Sequence, residues 1–280
     1  VMQLAFSNGG QKCSATSLLL LVNEVYFDTS FREALCDAVE SMNVGSAWRL
    51  HTRVGPLIRP PTDDLERALK ELESGETWAV RPRLGIDENP HLVTPGVKWG
   101  VRPGSVTHCT EFFGPLLGVM PFIDLHEAIE LVNDTGFGLT SGLESLDDRE
   151  QEIWQQGVRA GNLYINRPTT GAIVLRQPFG GMGLSAVGPG ITAGGPNYVL
   201  PLMRVDVNQA APGNIQSTGT DDAHPQFEAL NALAALCDDQ STRAAISSYL
   251  HWAAEEFHQS HDHFRLIGED NIRRYLPVAS

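Results

Sequence analysis

The sequence predicts an α/β fold, in which helices cover both faces of a mostly parallel sheet. Short apolar runs, such as the one that opens the segment 18–27, are typical of buried strands. Segments between these runs place apolar residues at helical spacing, as residues 30–42 do. Strands that alternate with helices in this way favour parallel pairing with crossover connections. The length of 280 residues suits one large domain, or one domain with an appendage.

The first half of the chain contains three predicted strands and two predicted helices. Asp28 or Thr29 is placed to cap the first helix, and Thr62, after two prolines, to cap the second. In chain order the pattern predicts a strand over 18–27, a helix over 30–42, a helix after Pro61, and strands near 77–82 and 91–101.

The second half continues the alternation and then changes composition. The pattern predicts a strand in the second half of 111–122, a helix over 125–133, a strand near 140–145, a helix from Asp147 to about Val158, and a strand over 161–166. Residues 177–197 are rich in glycine and proline and predict a long ordered loop. Two helices, over 225–237 and 242–257, and a strand-like close with a turn at 268–270 are expected beyond it.

Charge and cysteine usage exclude several classes of protein. The net charge of −14 argues against a nucleic-acid or anionic-membrane surface. Four scattered cysteines without a Cys-x-x-Cys pair favour free thiols in a reducing compartment. The longest apolar run, 18–22, is too short to span a bilayer, and the apolar segment 1–6 does not resemble a signal peptide because no basic region precedes it. We therefore expect a cytoplasmic protein without membrane insertion, and no metal site is predicted.

The stretch FSNGGQKCSAT, residues 6–16, carries the chemistry that the rest of the chain is predicted to serve. Cys13 follows a glycine-rich turn and a lysine, Lys12. Glycines let backbone N–H groups approach a reacting carbonyl, and a neighbouring cation favours the thiolate. A thiol beside free amide donors suits acyl chemistry, in which an oxyanion must be stabilised. The alternative is a buried structural cysteine, which is common.

Five motifs in order resemble the aldehyde dehydrogenase superfamily over residues 1–205. They are GQKCSA at 10–15, EFFGP at 111–115, FGLTSGL at 137–143, GNLYIN at 161–166 and PFGGMGLS at 178–185. Within the superfamily the sequence is similar to 1-pyrroline-5-carboxylate dehydrogenase, which oxidises L-glutamate γ-semialdehyde, and in particular to the dehydrogenase module of bifunctional proline utilization A. This closer resemblance rests on Asn166-Arg167, residues 170–172, residues 177–179 and the AGGPNY stretch at 193–198.

The resemblance implies a role for each residue that matches a motif. Cys13 would attack the aldehyde to give a thiohemiacetal, NAD would take the hydride, and water would hydrolyse the thioester. The Cys13 backbone N–H would be one oxyanion donor. Glu111 would bind the nicotinamide ribose hydroxyls, and Phe113 would pack beside the nicotinamide. In isolation, Glu111 is equally compatible with a solvated acid at a helix start.

The substrate residues follow from the same resemblance. Ser14, Gly171 and Ala172 would anchor the α-carboxylate of an amino-acid aldehyde, the first by its hydroxyl and the other two by backbone N–H groups. Phe179 would wall the aliphatic part of the substrate. Each has an ordinary alternative: residues 171 and 172 as a tight turn, and Phe179 as a core aromatic.

The predicted domains are a catalytic domain at 1–205, a linker at 206–224 and a mainly helical segment at 225–280. The superfamily's nucleotide-binding domain precedes the nucleophile, so this chain is expected to be inactive by itself. FAD would be required only if a proline dehydrogenase domain precedes it in the intact protein. A homo-oligomer is expected. Two alternatives stay open: another NAD(P)-dependent or coenzyme-A-acylating semialdehyde dehydrogenase, and a non-catalytic oligomerisation fragment.

Overall fold

The helices and strands of the computed structural model follow the predicted alternation. The helices are α1 (Met2–Phe6), α2 (Asn23–Tyr26), α3 (Thr29–Glu40), α4 (Asp63–Lys70), α5 (Val106–Cys109), α6 (Leu125–Asp134), α7 (Asp148–Gly157), α8 (Pro225–Leu236) and α9 (Gln240–Glu256). The strands are β1 (Leu18–Val22), β2 (Thr77–Val80), β3 (Gly96–Trp99), β4 (Leu116–Phe122), β5 (Phe137–Gly138), β6 (Thr140–Leu143), β7 (Asn162–Ile165), β8 (Met182–Gly183), β9 (Ser260–Leu266) and β10 (Glu269–Arg274). Single 3₁₀ turns lie at Ser7–Gly10 and Ile86–Glu88.

The structure describes most of the chain, with gaps towards its end. The described residues are 1–170, 172, 177–187, 191–195, 198, 199, 202–204, 225–256, 260–266 and 269–274, with side chains described outside 225–227 and 252–274. The predicted linker at 206–224 and the predicted site residue Gly171 lie outside them. Backbone contacts divide the chain into two units, one of Val1–Ala172 with Phe179–Ala193, the other of Ile173–Pro178 with Gly194–Ser280.

A four-stranded sheet with the order β1-β4-β3-β2 forms the centre of the first unit. Strand β4 pairs in parallel with both β1 and β3, while β2 is antiparallel to β3 at the edge. Strands β6 and β7 form a second parallel pair, and β5 pairs antiparallel with β8. The parallel pairing is confirmed, but these strands belong to separate small sheets among the described residues.

Helices cover both faces of the central sheet, as predicted. Leu117 and Val119 of β4 pack in one apolar cluster with Leu35 and Val39 of α3. Met120, the next residue of the same strand, packs instead with Leu131 of α6. Successive side chains of a strand point to opposite faces, so a strand buried on both sides is apolar throughout.

Several predicted boundaries were wrong. The strand expected over 18–27 ends at Val22, and α2 begins at the next residue. The strand expected over 91–101 is only β3, because residues around Leu92 and Val93 form a separate bridge region. Thr62 occupies the cap position of α4 but makes no capping bond, whereas Asp28, Asp124 and Asp147 do cap their helices.

The second unit contains α8, α9 and an antiparallel hairpin of β9 and β10. Two helices and a strand-like close were predicted, and both occur. Of the turn expected at 268–270, residues 269 and 270 belong to β10 instead, and residue 268 lies outside the described residues. Within the part of the chain that the structure describes, no helix combines the length and apolar content needed to cross a membrane.

Candidate active site

Cys13 lies at the centre of a tight turn between α1 and β1. The Ala15 N–H donates to the Lys12 carbonyl over 3.0 Å, which closes a four-residue turn around Cys13 and Ser14. Before it, the Asn8 side chain donates to the Gln11 carbonyl over 2.9 Å. After it, the Thr16 N–H donates to the Leu4 carbonyl over 3.2 Å. The Cys13 side chain is exposed, so the alternative interpretation as a buried structural cysteine is wrong.

The Cys13 backbone N–H is available to an external acceptor. No acceptor among the described residues meets this N–H group. An exposed thiol with an unpaired amide of its own is compatible with a first oxyanion contact. The Lys12 ammonium, which the sequence places beside the thiol, donates to the Ser7 hydroxyl over 3.4 Å.

The Cys13 turn is packed directly against the loop that carries Glu111 and Phe113. The Gln11 side-chain amide donates to the Phe113 carbonyl over 3.3 Å, and its oxygen accepts from the Ile58 N–H over 3.0 Å. Gly10 has a φ of +69°, and a Cβ there would lie 2.2 Å from the Gly114 carbonyl oxygen. The predicted nucleophile motif and the predicted cofactor motif, about a hundred residues apart in sequence, are therefore neighbours.

Glu111 and Phe113 lie on the surface of this loop. Glu111 is exposed, and Phe113 is 45% exposed although it is a large aromatic residue. Phe113 also has a φ of +52°, in the left-handed region that bulky residues avoid. Strained backbone of this kind persists where the surrounding structure holds it, and it is frequent at ligand sites.

Helix α5, which leads into this loop, is held by capping bonds at its N-terminus and by its buried histidine. The Ser105 hydroxyl accepts from the His108 N–H over 3.2 Å, and the Glu73 carboxylate accepts from the Val106 N–H over 2.8 Å. The His108 ring is buried; its Nδ1 accepts from the Gly104 N–H, so its Nε2–H donates to the Leu131 carbonyl over 2.7 Å. These bonds fix where the Glu111 loop begins.

A buried ion pair contacts α5 through Thr107. The Lys98 ammonium on β3 is 3.0 Å from the Glu76 carboxylate and donates to the Thr107 hydroxyl over 3.1 Å. Burial alone would raise the pKa of the Glu76 carboxyl, but bonds from Thr107, the Glu73 N–H and Lys98 outweigh it and lower that pKa. The other Glu76 oxygen is buried with no partner among the described residues.

The four predicted substrate residues have different surroundings. Ser14 is only 7% exposed, and its carbonyl accepts from the Thr169 hydroxyl over 3.4 Å. Ala172 is exposed, and Gly171 is not described. Phe179 is half-buried and exchanges two backbone hydrogen bonds with Ala193, at 3.0 and 2.7 Å. No hydrogen bond among the described residues joins Ala172 or Phe179 to the Cys13 turn.

Asn162 anchors the loop that carries Phe179. Its side-chain oxygen accepts from the Gly180 N–H over 3.1 Å, and Asn162 is the buried first residue of β7. The long ordered loop expected at 177–197 is thus tied to the sheet at its start, within its described residues.

Three contacts of the site were not predicted from the sequence. The contact of Gln11 with Phe113 has a partial signal, because Gln11 belongs to the nucleophile motif. The contact between Gly10 and Gly114 joins two motifs that no periodicity connects. Thr169 carries no signal in the sequence, because a threonine after a strand is ordinary. No group of three or more potential metal ligands occurs among the described residues.

Comparison with known proteins identifies the class that this fold and site define. The model of the aldehyde dehydrogenase family matches residues 1–206. The chain therefore belongs to the aldehyde dehydrogenase family.

More particular similarities point to one branch of that family. The chain is 32% identical over 204 residues to 1-pyrroline-5-carboxylate dehydrogenase of Geobacillus thermodenitrificans, and 33% identical over 213 residues to the bifunctional protein PutA of Klebsiella aerogenes. The solved structure of proline utilization A from Corynebacterium freiburgense matches 93% of this chain and 25% of its own, at 41% identity and a TM-score of 0.74. A Thermus 1-pyrroline-5-carboxylate dehydrogenase with bound NAD matches 70% of this chain and 37% of its own, at 30% identity and a TM-score of 0.56.

These relatives are longer than the chain. The matched part covers 73% of this chain and 39% of the Geobacillus enzyme. It covers 72% of this chain and 16% of the Klebsiella protein. The predicted family and fold class are confirmed by these matches.

Proposed function

We propose that the chain is the nucleophile-bearing part of an NAD-dependent dehydrogenase that oxidises L-glutamate γ-semialdehyde to L-glutamate. The observation that carries the proposal is the exposed Cys13 turn, held against the Glu111 and Phe113 loop by Gln11 and by the close approach of Gly10 to Gly114. Aldehyde oxidation needs a nucleophile and a hydride acceptor beside the same carbon. The adjacency of these two loops supports that arrangement.

Cys13 is assigned the covalent step. Its thiolate adds to the aldehyde carbon, the C–S bond forms, and the carbonyl oxygen becomes an oxyanion that accepts from the Cys13 N–H. After oxidation the acyl group is a thioester on Sγ, and water cleaves it to release the carboxylate and the thiolate.

NAD, when bound, supplies the hydride acceptor. The exposed Glu111 carboxylate is suited to accept from two ribose hydroxyls, and the half-exposed Phe113 ring offers an apolar face to a nicotinamide. The positive φ of Phe113 is strained for a bulky residue, and strain at an exposed ring favours a binding role over a core role.

The substrate class rests on the similarity to 1-pyrroline-5-carboxylate dehydrogenases and on the residues around Cys13. We assign the α-carboxylate of the substrate to the Ser14 hydroxyl and to the backbone N–H groups of Gly171 and Ala172. Phe179 is assigned to the aliphatic part of the substrate. An aldehyde that lacks an α-amino-acid group would leave these donors unpaired, and this costs affinity.

A substrate comparison tests the proposal. The protein expressed from its complete gene is assayed for NADH formation with L-glutamate γ-semialdehyde and with succinate semialdehyde, each with and without coenzyme A. We expect the amino-acid aldehyde to be preferred, with no dependence on coenzyme A. Cys13→Ser should abolish turnover and Cys237→Ser should not. Preference for succinate semialdehyde would contradict the proposed substrate. A requirement for coenzyme A would contradict release of the product by water, and full turnover by Cys13→Ser would contradict the role of Cys13 as the nucleophile.

A cytoplasmic homo-oligomer is part of the same proposal. Large apolar side chains remain exposed on the first unit; Trp48, Leu50 and Leu146 are all more than 90% exposed. We assign these side chains to surfaces that a second copy of the chain covers, since contiguous exposed apolar patches are typical of such surfaces. Measurement of the solution mass of the complete protein tests this part, and a monomeric mass would contradict it.

A further inference from the structure

Thr169 connects the Cys13 turn to the loop that follows β7. Its hydroxyl oxygen lies 3.4 Å from the Ser14 carbonyl and 3.3 Å from the Thr16 hydroxyl. Thr169 is 9% exposed, so this hydroxyl is largely removed from water and depends on these partners. Thr169 precedes Gly171 and Ala172 by two and three residues, so it links the nucleophile to the proposed carboxylate anchor.

The direction of both hydrogen bonds follows from counting protons. A carbonyl oxygen can only accept, so the single Thr169 proton goes to Ser14. The Thr16 hydroxyl must then donate to the Thr169 oxygen. The two bonds hold the turn on the C-terminal side of Cys13. Both are longer than the ~2.8 Å usual for hydroxyls, as catalytic-site bonds often are before a substrate is bound.

The Thr169 methyl group fixes the orientation of that hydroxyl. A Cβ at Gly142 on β6 would lie 2.8 Å from the Thr169 methyl carbon, so only glycine leaves room for the methyl there. A β-branched side chain has few χ1 choices. With the methyl against Gly142, the hydroxyl is directed to Ser14 and Thr16.

The Cys13 turn therefore has one side-chain anchor on each side. Gln11 holds the N-terminal side through Phe113 and Ile58. Among the described residues, Thr169 is the side chain that holds Ser14 on the other side. We propose that Thr169 is a positioning residue for Cys13, which sets the thiol and its N–H against the substrate. This inference rests on the proposed role of Cys13 as nucleophile.

Hydrogen exchange on the 280-residue chain tests the physical claim without any activity. Thr169→Val keeps the shape and removes the hydroxyl, while Thr169→Ser keeps the hydroxyl and removes the methyl. We expect Thr169→Val to raise amide exchange of Ala15 and Thr16, whose N–H groups are hydrogen-bonded, several-fold and to leave exchange in β4 unchanged. Exchange in Thr169→Ser should stay closer to that of the wild type. Unchanged exchange at Ala15 and Thr16, or an equal rise of exchange in β4, would overturn the proposal.

Thr16→Val provides a second variant in case Thr169→Val does not fold. It removes the other hydroxyl of the pair, and it should also raise amide exchange at Ala15. The two substitutions combined should give less than the sum of their effects, because they break the same link. Additive effects would contradict the link.

Kinetics of the complete protein test the consequence for catalysis. We expect Thr169→Val to lower kcat about tenfold, the effect of roughly one hydrogen bond, with the KM for NAD unchanged and with kcat restored by Thr169→Ser. A normal kcat in Thr169→Val would overturn the positioning role. If the unsubstituted protein oxidised no aldehyde, the proposed function would fail instead, and the exchange result would still decide whether Thr169 anchors the turn.

Discussion

At the scale of single residues, the site depends on backbone conformations that few side chains can adopt. Gly10 and Phe113 both have positive φ angles and lie on the two loops that meet. At Gly10 this conformation costs little, whereas at Phe113 a bulky residue accepts it. Substitutions at Gly10 test the close approach of the two loops, and substitutions at Phe113 test the backbone strain.

A ladder of glycine substitutions separates those two effects at Gly10. Gly10→Ala introduces both a left-handed alanine and a Cβ 2.2 Å from the Gly114 oxygen. Gly85→Ala introduces a left-handed alanine at φ +69° with open space around it, and Gly55→Ala introduces neither. We expect Gly55→Ala to be neutral or slightly stabilising, Gly85→Ala to lower the free energy of unfolding by about 1–2 kcal/mol, and Gly10→Ala to lower it further. Urea unfolding measures all three, and equal losses at Gly10 and Gly85 would contradict the close contact.

Two substitutions at Phe113 isolate its strain. Both Phe113→Ala and Phe113→Gly remove the ring, but only alanine keeps the penalty of φ +52°. We expect the glycine variant to be the more stable by about 1 kcal/mol, although glycine is usually the less stable of the two. The measurement is urea unfolding of the pair. In the complete protein, both variants should raise the KM for NAD, because both lack the ring.

At the scale of elements, the position of the loop that carries Glu111 and Phe113 depends on α5. This short helix is anchored by Glu73 at its start and by His108 within it. Lys98 on β3 pairs with Glu76, which lies just before β2, and it also donates to Thr107 on the same helix. A four-residue helix would not be stable without such tertiary bonds.

Breaking the buried pair tests this anchoring. Glu76→Gln leaves the Lys98 ammonium buried and unpaired, which is expected to lower the free energy of unfolding by about 3–5 kcal/mol. The matched control is Glu66→Gln, which breaks an exposed pair with Lys70 at 2.5 Å and should cost less than about 1 kcal/mol. The double variant Glu76→Gln with Lys98→Met should lose less than the sum of the two single losses. Additive losses would contradict a coupled pair.

The lowered pKa of Glu76 gives the same test a pH dependence. A carboxyl whose pKa is lower in the folded than in the unfolded state stabilises the fold above its ordinary value of 4.5, and this contribution is lost as the pH falls through the folded value. The stability difference between wild type and Glu76→Gln should therefore narrow as the pH falls below about 4.5. A constant difference down to strongly acidic pH would contradict this assignment.

The elements themselves were largely predictable, and the contacts between them were not. The apolar run of β4 and the capping aspartates of α3, α6 and α7 are local signals, so the sequence indicates them directly. Strand β1 was predicted too long because the strand-favouring residues 25–27 resume the apolar pattern after Asn23 and Glu24. Gln11 with Phe113, and Thr169 with Ser14, lie 102 and 155 residues apart, and no local pattern reports such pairs.

At the scale of the whole molecule, the chain covers less than half of the relatives it matches. It matches 39% of the Geobacillus dehydrogenase and 25% of the solved proline utilization A. The latter match extends over 93% of this chain, beyond the region of the family model. What the 280 residues can do alone is therefore a separate question from the activity of the complete protein.

We expect the 280-residue chain alone to be alkylated at Cys13 but to give no NAD-dependent turnover. Cys13 is exposed, so iodoacetamide should reach it before the less exposed Cys36 and Cys109. Turnover is expected to need the nucleotide-binding domain that precedes the nucleophile in the superfamily, and the chain matches only 39% of the Geobacillus dehydrogenase. Peptide mass spectrometry after brief alkylation, together with an NADH assay on the same preparation, measures both outcomes. Sustained NADH formation by this chain would contradict the expectation, and alkylation of Cys109 before Cys13 would contradict the exposed nucleophile.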